Sequence, residues 1–214
     1  MPDRRGYGEA CAVAHALDAI GDRWALLVVR ELRLGPKRYS DLQASLPGAG
    51  PNVLSRRLRE LEESGVLRRR VLPPPAGARV YELTPWGAEL EPVFRALARW
   101  GIGSPVPRRG RLSADSIMLG LRTFFDNEAA TDPARRWTAL YEFRLDQDVY
   151  RLRVVDGRIE ELIRGDTGGA ADVVVAGSST AVQQALEGDI GSAVTITGDR
   201  EALNRLLDAA GARV

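Results

Sequence analysis

Asn52, Ser55, Arg56 and Arg59 lie within a span of eight residues, and all four are side-chain types that can read or position nucleic-acid bases. Arginine donates bidentately to guanine O6 and N7, asparagine pairs in the same way with adenine N6 and N7, and a serine hydroxyl serves a base or a phosphate. At about 100° per residue, Asn52, Arg56 and Arg59 share one face of a helix, with Ser55 at its margin. Leu54, Leu58 and Leu61 occupy the opposite face at i, i+4 and i+7. Such a helix suits a DNA major groove, but in isolation the favoured reading is a solvated amphipathic helix, and its neighbours decide between the two. A second set of cations surrounds it. Lys37, Arg38 and Ser40 precede it and could hold phosphates, while Arg68, Arg69, Arg70 and Arg79 follow it, where phosphates or a minor groove could be met.

The elements that would position these side chains follow from local signals. Gly50 and Pro51 read as N-cap and N1 of the 51–64 helix, where proline's missing N–H costs nothing, and Gly65 ends it. Ser40-Asp41-Leu42-Gln43 predicts a capping box opening a short helix through Leu46, which Pro47-Gly48 closes. Val66–Leu72 and Arg79–Leu83 predict two strands around the breaker-rich tip Pro73-Pro74-Pro75-Ala76-Gly77. Tandem short helices followed by a hairpin are the order of a winged helix-turn-helix. Asp22 is expected to cap a helix from Arg23 to Leu34 that buries Trp24, Leu27, Val28 and Leu32, preceded by an apolar helix over Ala10–Ile20. Thr84-Pro85 predicts the start of a long helix with Trp86, Leu90, Val93, Phe94, Leu97 and Trp100 along one stripe. That much apolar bulk fits a dimer seam shared with the 10–20 helix, or packing against the rest of the chain; we read it as a seam. A two-fold protein would meet a two-fold operator at paired half-sites.

The segments Leu17-Asp18-Ala19-Ile20-Gly21-Asp22-Arg23-Trp24-Ala25-Leu26-Leu27, Arg30-Glu31-Leu32, Tyr39-Ser40-Asp41-Leu42, Leu54–Leu61 and Tyr81-Glu82-Leu83-Thr84-Pro85-Trp86-Gly87, with Cys11 upstream, resemble the HxlR-type bacterial regulators over about residues 8 to 101. The resemblance implies a homodimeric winged-helix transcription factor on a roughly palindromic operator, with DNA contacts from the 51–64 helix and the wing. It also raises a thiol reading, because some HxlR-type regulators use a cysteine at this N-terminal position as a switch. The other reading of Cys11 is a small buried hydrophobe. As the single cysteine, it could form only an intersubunit bridge or a mixed disulfide. No Lys or Arg on its own helix would acidify it, although Arg4 and Arg5 lie in the arm before it and His15 lies one turn on.

Charge is divided between the halves. Residues 1–111 hold 19 Arg and Lys against 12 Asp and Glu, a net +7; residues 112–214 hold 11 against 17, a net −6. A basic half beside an acidic one suits one part that meets DNA and one that stays off it. All the basic residues except Lys37 are arginines. The longest apolar run, Trp24–Val29, is far too short to span a bilayer, so no membrane partner is expected. One cysteine fits a reducing cytoplasm.

Residues 101–111 are rich in Gly, Pro and Arg and read as a linker. Beyond it the order is helix, three antiparallel strands, then strand, helix, strand, helix. Ser113 caps the first helix, to Phe125. Strands are expected over Trp137–Leu145 and over Val149–Val155, the latter with Arg151 and Arg153 outward. Asp156-Gly157 turns into a third strand, Arg158–Ile163. Ala171–Ala176 is the next strand; Thr180–Gln183 reads as a capping box for a helix stopped by Gly188; Val194–Thr197 and an Asp199-capped helix complete the set. This half resembles the sterol-carrier-protein fold in element order and over Ala171–Gly188 and Val194–Leu207. That fold holds apolar molecules between its sheet and helices, which implies pocket walls at Ile117, Leu121, Tyr141, Phe143, Leu152, Val173, Val175, Val182 and Leu186. The same side chains could equally fill a core.

No Gly-x-Ser-x-Gly, phosphate-binding Gly-Lys-Ser/Thr loop or metal-ligand cluster is present in the sequence, and the Gly165–Gly169 segment around Asp166 reads as a surface turn. The expected architecture is α+β in two domains. Residues 1–101 form a winged helix-turn-helix for DNA binding and dimerisation, 102–111 a linker, and 112–214 a sterol-carrier-protein-like α/β sandwich with a mainly antiparallel sheet. The expected function is a cytoplasmic, homodimeric, sequence-specific regulator of transcription, read as a repressor. Its partners are double-stranded DNA and a hydrophobic small-molecule effector, and it needs neither a cofactor nor a catalytic residue. A carrier of apolar molecules whose winged module binds protein is the alternative, and a thiol sensor through Cys11 is another.

Overall fold

Leu54, Leu58 and Leu61 are fully buried, and the first of two units is assembled around them. The structure is a computed structural model describing residues 6–74, 76–107, 110–126, 136–165, 168–187 and 193–211. Arg4, Arg5, Pro75, Arg108, Arg109, Asp166 and Gly188, all of which figure in the sequence reading, lie outside the described residues. The chain divides into Met1–Phe94 and Arg95–Val214, a boundary somewhat earlier than the 101–112 expected from the linker.

The first unit runs α1 (Ala12–Ile20), α2 (Ala25–Leu32), α3 (Tyr39–Ser45), α4 (Pro51–Glu63), β1 (Leu67–Val71), β2 (Arg79–Leu83) and α5 (Pro85–Ala88), and the boundary falls within α6 (Glu91–Ile102). The leucine row of α4 packs on Val28, Val29 and Leu32 of α2, Leu42 of α3, and Val66 and Leu67 at the start of the wing. Each such side chain contributes about 1.5–3 kcal/mol on burial. α4 begins with Gly50 and Pro51 as expected, and Gly65 follows it at φ 75°, a conformation glycine adopts without strain. β1 and β2 form an antiparallel hairpin in which Arg68 faces Glu82 and Arg69 faces Tyr81. Lys37 exchanges both backbone hydrogen bonds with Tyr81 (3.0 and 2.8 Å), tying the segment before α3 to the wing.

Several local expectations shift. α2 starts at Ala25, not Arg23, because Trp24 sits at its N-cap in the left-handed region (φ 79°). The Asp22 carboxylate does not cap α2; it pairs with Arg57. Leu27 is exposed, since the buried face of α2 is Ala25, Val28, Val29 and Leu32 with Glu31. α3 starts at Tyr39, with Arg38 at the N-cap; Asp41, not Gln43, reaches back to the N-cap backbone N–H at 3.2 Å, and Ser40 lies inside the helix. The long helix after the wing is two helices. Thr84 caps α5 as expected, its hydroxyl accepting from the Gly87 N–H at 3.0 Å, but α5 ends at Ala88. Pro92 has no N–H to offer the Ala88 carbonyl, so the ladder breaks there and restarts as α6. Of the six residues in the expected stripe only Phe94 is buried and Leu90 partly so; Trp86, Val93, Leu97 and Trp100 are exposed.

The second unit comprises α7 (Ala114–Phe124), β3 (Ala139–Leu145), β4 (Asp148–Val155), β5 (Arg158–Arg164), β6 (Val173–Gly177), α8 (Ser179–Leu186), β7 (Thr195–Gly198) and α9 (Arg200–Ala209). Its sheet has the order β5-β4-β3-β6-β7; only β3 and β6 are parallel, so it is mixed and mainly antiparallel. Tyr141, Phe143 and Leu145 alternate inward with Tyr150, Leu152 and Val154, as expected. Asp156 and Gly157 turn β4 into β5 with positive φ at both positions, which the Asp-Gly pair tolerates. Ser113 and Asp199 cap α7 and α9 as expected, whereas α8 is capped by Ser178, whose hydroxyl accepts from Ala181 N–H at 3.1 Å. Thr180 lies inside that helix. Arg151 points away from the helices but is buried, because Glu142 faces it across the strands at 2.8 Å and the Gly169 carbonyl accepts from it at 2.7 Å.

Two glycines make opposite predictions. A side chain at Gly87 would run into the Val66 carbonyl oxygen, so Gly87→Ala should cost about 3 kcal/mol. Gly120, inside α7, has open space at its Cβ position, so Gly120→Ala should gain about 0.5–1 kcal/mol. Chemical denaturation of both variants tests this; equal effects would refute it.

Candidate nucleic-acid interface

α4 presents Asn52, Arg56 and Arg59 to solvent, the face expected from their spacing. Ser55 is half-buried; its hydroxyl donates to the Tyr39 hydroxyl at 3.2 Å, which in turn donates to the Pro51 carbonyl at 3.1 Å. Tyr39 therefore pins the start of α4 against α3 and leaves Ser55 beside the exposed row of Asn52, Arg56 and Arg59. The sequence reading missed it, though an aromatic at the start of the preceding helix was the available signal. It also missed Arg57, which is buried and pairs with Asp22 and, at 2.5 Å, with Glu60. Position 57 is i+3 from Leu54 and so belongs to the inner face.

Arg38 and Ser40 are exposed at the start of α3, with the Ser40 hydroxyl donating to Asp41 at 3.1 Å. Lys37 departs from expectation. Its ammonium is buried and donates to Glu31 at 2.6 Å and to Ser45 at 2.8 Å. Glu31, with no exposed surface, also takes Arg30 at 2.7 Å. A fully buried carboxylate demands such partners, so Lys37 is consumed as structure and is removed from the set that could hold phosphates.

The wing arginines are exposed but not free. Both Glu82 oxygens are used, one by Arg68 (2.8 Å) and the other by Arg70 (2.9 Å). Arg69 points to the other face of the strand, where it meets Glu62 of α4 at 2.8 Å and lies 5.6 Å from the centre of the Tyr81 ring. Arg79 is exposed at the start of β2 and, like Arg38, Arg56 and Arg59, forms no ion pair among the described residues.

Cys11 is exposed and stands at the N-cap of α1, so it is not a core hydrophobe. The backbone N–H groups of Ala14 and Val13 hold its thiol below the usual cysteine range. That acidifying influence comes from the helix start itself, a source the sequence reading did not weigh.

In the second unit an apolar cavity of about 250 Å³ lies between sheet and helices. Ile117, Leu121, Phe143, Val175, Val182 and Leu186 line it as expected. Tyr141, Leu152 and Val173 do not. They form one rung across the sheet and are fully buried, with the Tyr141 hydroxyl closing the rung by donating to the Ala202 carbonyl at 2.8 Å. Burial pushes that hydroxyl's pKa up to about 12. The cavity opens at the next rung, Phe143–Val175–Ile196, and α9 adds Arg200, Leu203 and Leu207, which the sequence reading did not place there. Among the described residues no cluster of ligating side chains could hold a metal ion, and no helix is long and apolar enough to cross a membrane.

The fold and the exposed α4 face define a winged helix-turn-helix regulator. The HxlR-like helix-turn-helix family matches residues 19–105. The chain is 37% identical over 94 residues to the HTH-type transcriptional regulator sll1512 of Synechocystis, covering 44% of this chain and 70% of that protein. It is 39% identical over 85 residues to YvaP, an HTH-type transcriptional regulator of Bacillus subtilis, covering 40% and 79%. Among solved structures, the redox regulator HypR in its oxidised form is 30% identical, with a TM-score of 0.42, over 45% of this chain and 100% of that one. The chain belongs to the HxlR-like family of DNA-binding transcriptional regulators.

Stripping Glu31 of its ammonium partner should matter for folding. Lys37→Ala is expected to lower stability by about 2–4 kcal/mol, Arg30 retaining part of the interaction. Arg38→Ala should change stability by less than about 0.5 kcal/mol while weakening DNA binding. Urea denaturation and DNA titration of both variants separate the roles; unchanged stability in Lys37→Ala would refute the assignment.

Proposed function

We propose that this regulator binds a two-fold operator as a homodimer and represses transcription from it in the cytoplasm, with residues 1–101 forming the DNA-binding and dimerisation part. The observation that carries this reading is the outward face of α4. Asn52, Arg56 and Arg59 stand clear on a helix whose other side is locked into the core, with Ser55 at the margin. Laid in a major groove, Arg56 and Arg59 reach guanines and Asn52 an adenine, while Arg38, Ser40 and the wing residues Arg69, Arg70 and Arg79 hold phosphates. Dimerisation is supported by a groove of about 220 Å³ lined by Ala16, Ala19 and Ile20 of α1 with Trp86, Glu89 and Leu90, beside the exposed Val13 and Leu17. Apolar side chains left in water along such a groove favour a second copy of the same surface.

Residues 112–214 form, in this reading, a sterol-carrier-like domain whose cavity takes an apolar effector. To regulate, that effector must bind the DNA-competent and DNA-incompetent states unequally. A carrier whose winged module docks on protein would bind its target with little dependence on salt. DNA binding weakens steeply as salt rises. Cys11 supports a second reading, a thiol sensor, because its sulfur is exposed and acidified. With one cysteine per chain, oxidation would join two subunits or attach a small thiol.

Arg56→Ala should cost about 1–3 kcal/mol at the operator and relax preference at one base position. Selection from a random duplex library, followed by titration, measures both; equal loss on operator and random duplex would contradict base reading. The lowered thiol pKa makes the thiolate available at lower pH. Alkylation of Cys11 by iodoacetamide should therefore reach its plateau at a pH below that needed for a cysteine residue in an unstructured peptide. A midpoint at or above that of the peptide would remove the acidified thiol on which the sensor reading rests.

A further inference from the structure

Strand alternation sends Arg68 and Arg70 to one face of the wing, and the cross-strand partner of Arg68 is an acid, Glu82. Arg68 meets one carboxylate oxygen through Nε and Nη2, both at 2.8 Å, while Arg70 Nε meets the other at 2.9 Å. The carboxylate is mostly covered (13% exposed), whereas the two guanidiniums stay open to solvent at 61% and 46%. A single acid thus lies beneath two exposed cations. The face carries one net positive charge where two would otherwise stand, and each arginine keeps an outer edge for a phosphate.

We propose that Glu82 is a positioning residue that restrains the nonspecific DNA affinity of the wing. It holds Arg68 and Arg70 in fixed poses and subtracts one charge from the field they present to any duplex. Nonspecific binding is set by how many phosphate charges a protein neutralises, whereas base contacts add only on the right sequence. An acid that reduces the first lowers affinity for every duplex by a similar factor and leaves sequence preference to the base contacts. The cations least affected are those on and before α4, Arg38, Arg56 and Arg59, which form no ion pair among the described residues. The inference rests on the reading that the wing lies against DNA.

Glu82→Gln keeps the shape and removes the charge, and a thermal melt matching the wild type establishes that the wing is intact. Binding of the full chain to a random-sequence duplex should tighten roughly three- to tenfold near 0.1 M salt, and its log K against log[salt] should steepen by about 0.9 per wing. Affinity for the selected operator should rise by a similar factor, because the wing meets phosphates in both complexes. In an Arg68→Gln/Arg70→Gln background the same Glu82→Gln change still removes a negative charge, but it should not steepen the salt slope, because no arginine is freed to displace counterions. An unchanged salt slope in the wild-type background, or an equal steepening in the Arg68→Gln/Arg70→Gln background, overturns the role of Glu82. A wild-type chain that binds no duplex in a salt-dependent way instead overturns the DNA reading beneath it, and the restraint with it. Should Glu82→Gln melt early, Glu82→Ala and Glu82→Asp carry the same comparison, with Asp expected to keep the wild-type slope.

Discussion

The burial of Leu54, Leu58 and Leu61 against α2 and α3 is the interaction on which the outward face of α4 depends. A helix has one apolar stripe, and committing it to the core determines where every other residue points. Rotating α4 to bury Arg56 would expose three leucines at about 1.5–3 kcal/mol each, much of the 5–15 kcal/mol that a domain of this size retains. Tyr39 and Arg57 then fix the helix at finer scale, one through the Pro51 carbonyl and Ser55, the other through Asp22 and Glu60. The Asn52–Arg56–Arg59 row is positioned because its opposite side has no alternative.

Where the chain carries a signal that only one residue type can satisfy, sequence and structure agree. Pro51 at a helix start, Gly65 in the left-handed region and Asp156-Gly157 in a tight turn each answer a backbone requirement that few other residues meet. Caps made by interchangeable residues were placed less well. Ser178, Ser179 and Thr180 are all competent N-caps, and nothing local chooses Ser178. The break between α5 and α6 was legible in Pro92, but the continuous apolar pattern across it outweighed the single proline.

Charge pairing was the least legible feature, because its partners are distant in sequence. Lys37 and Arg151 were both read as outward cations from their surroundings alone. Each is buried by a glutamate from another element, Glu31 or Glu142. Arg68, Arg69 and Arg70 kept their exposed positions but not their independence, since Glu62 and Glu82 share their charge. The 19 arginines and lysines of residues 1–111 therefore overstate the cations open to a phosphate backbone, a subtraction that the net +7 already contains. Arg38, Arg56 and Arg59, which form no ion pair among the described residues, carry a larger share of the positive field than a count of cations suggests.

The cavity raises a different kind of constraint. An apolar space of about 250 Å³ lies between sheet and helices of the second unit. An occupant that bound only the folded unit would be coupled to its folding. Such coupling is not yet regulation. A ligand present at 100 times its Kd stabilises the unit by about 2.7 kcal/mol whether or not the winged unit responds. Control of the operator requires the occupant to favour one DNA-binding state over the other, and only the difference in its affinity for the two can shift α4 on or off its site.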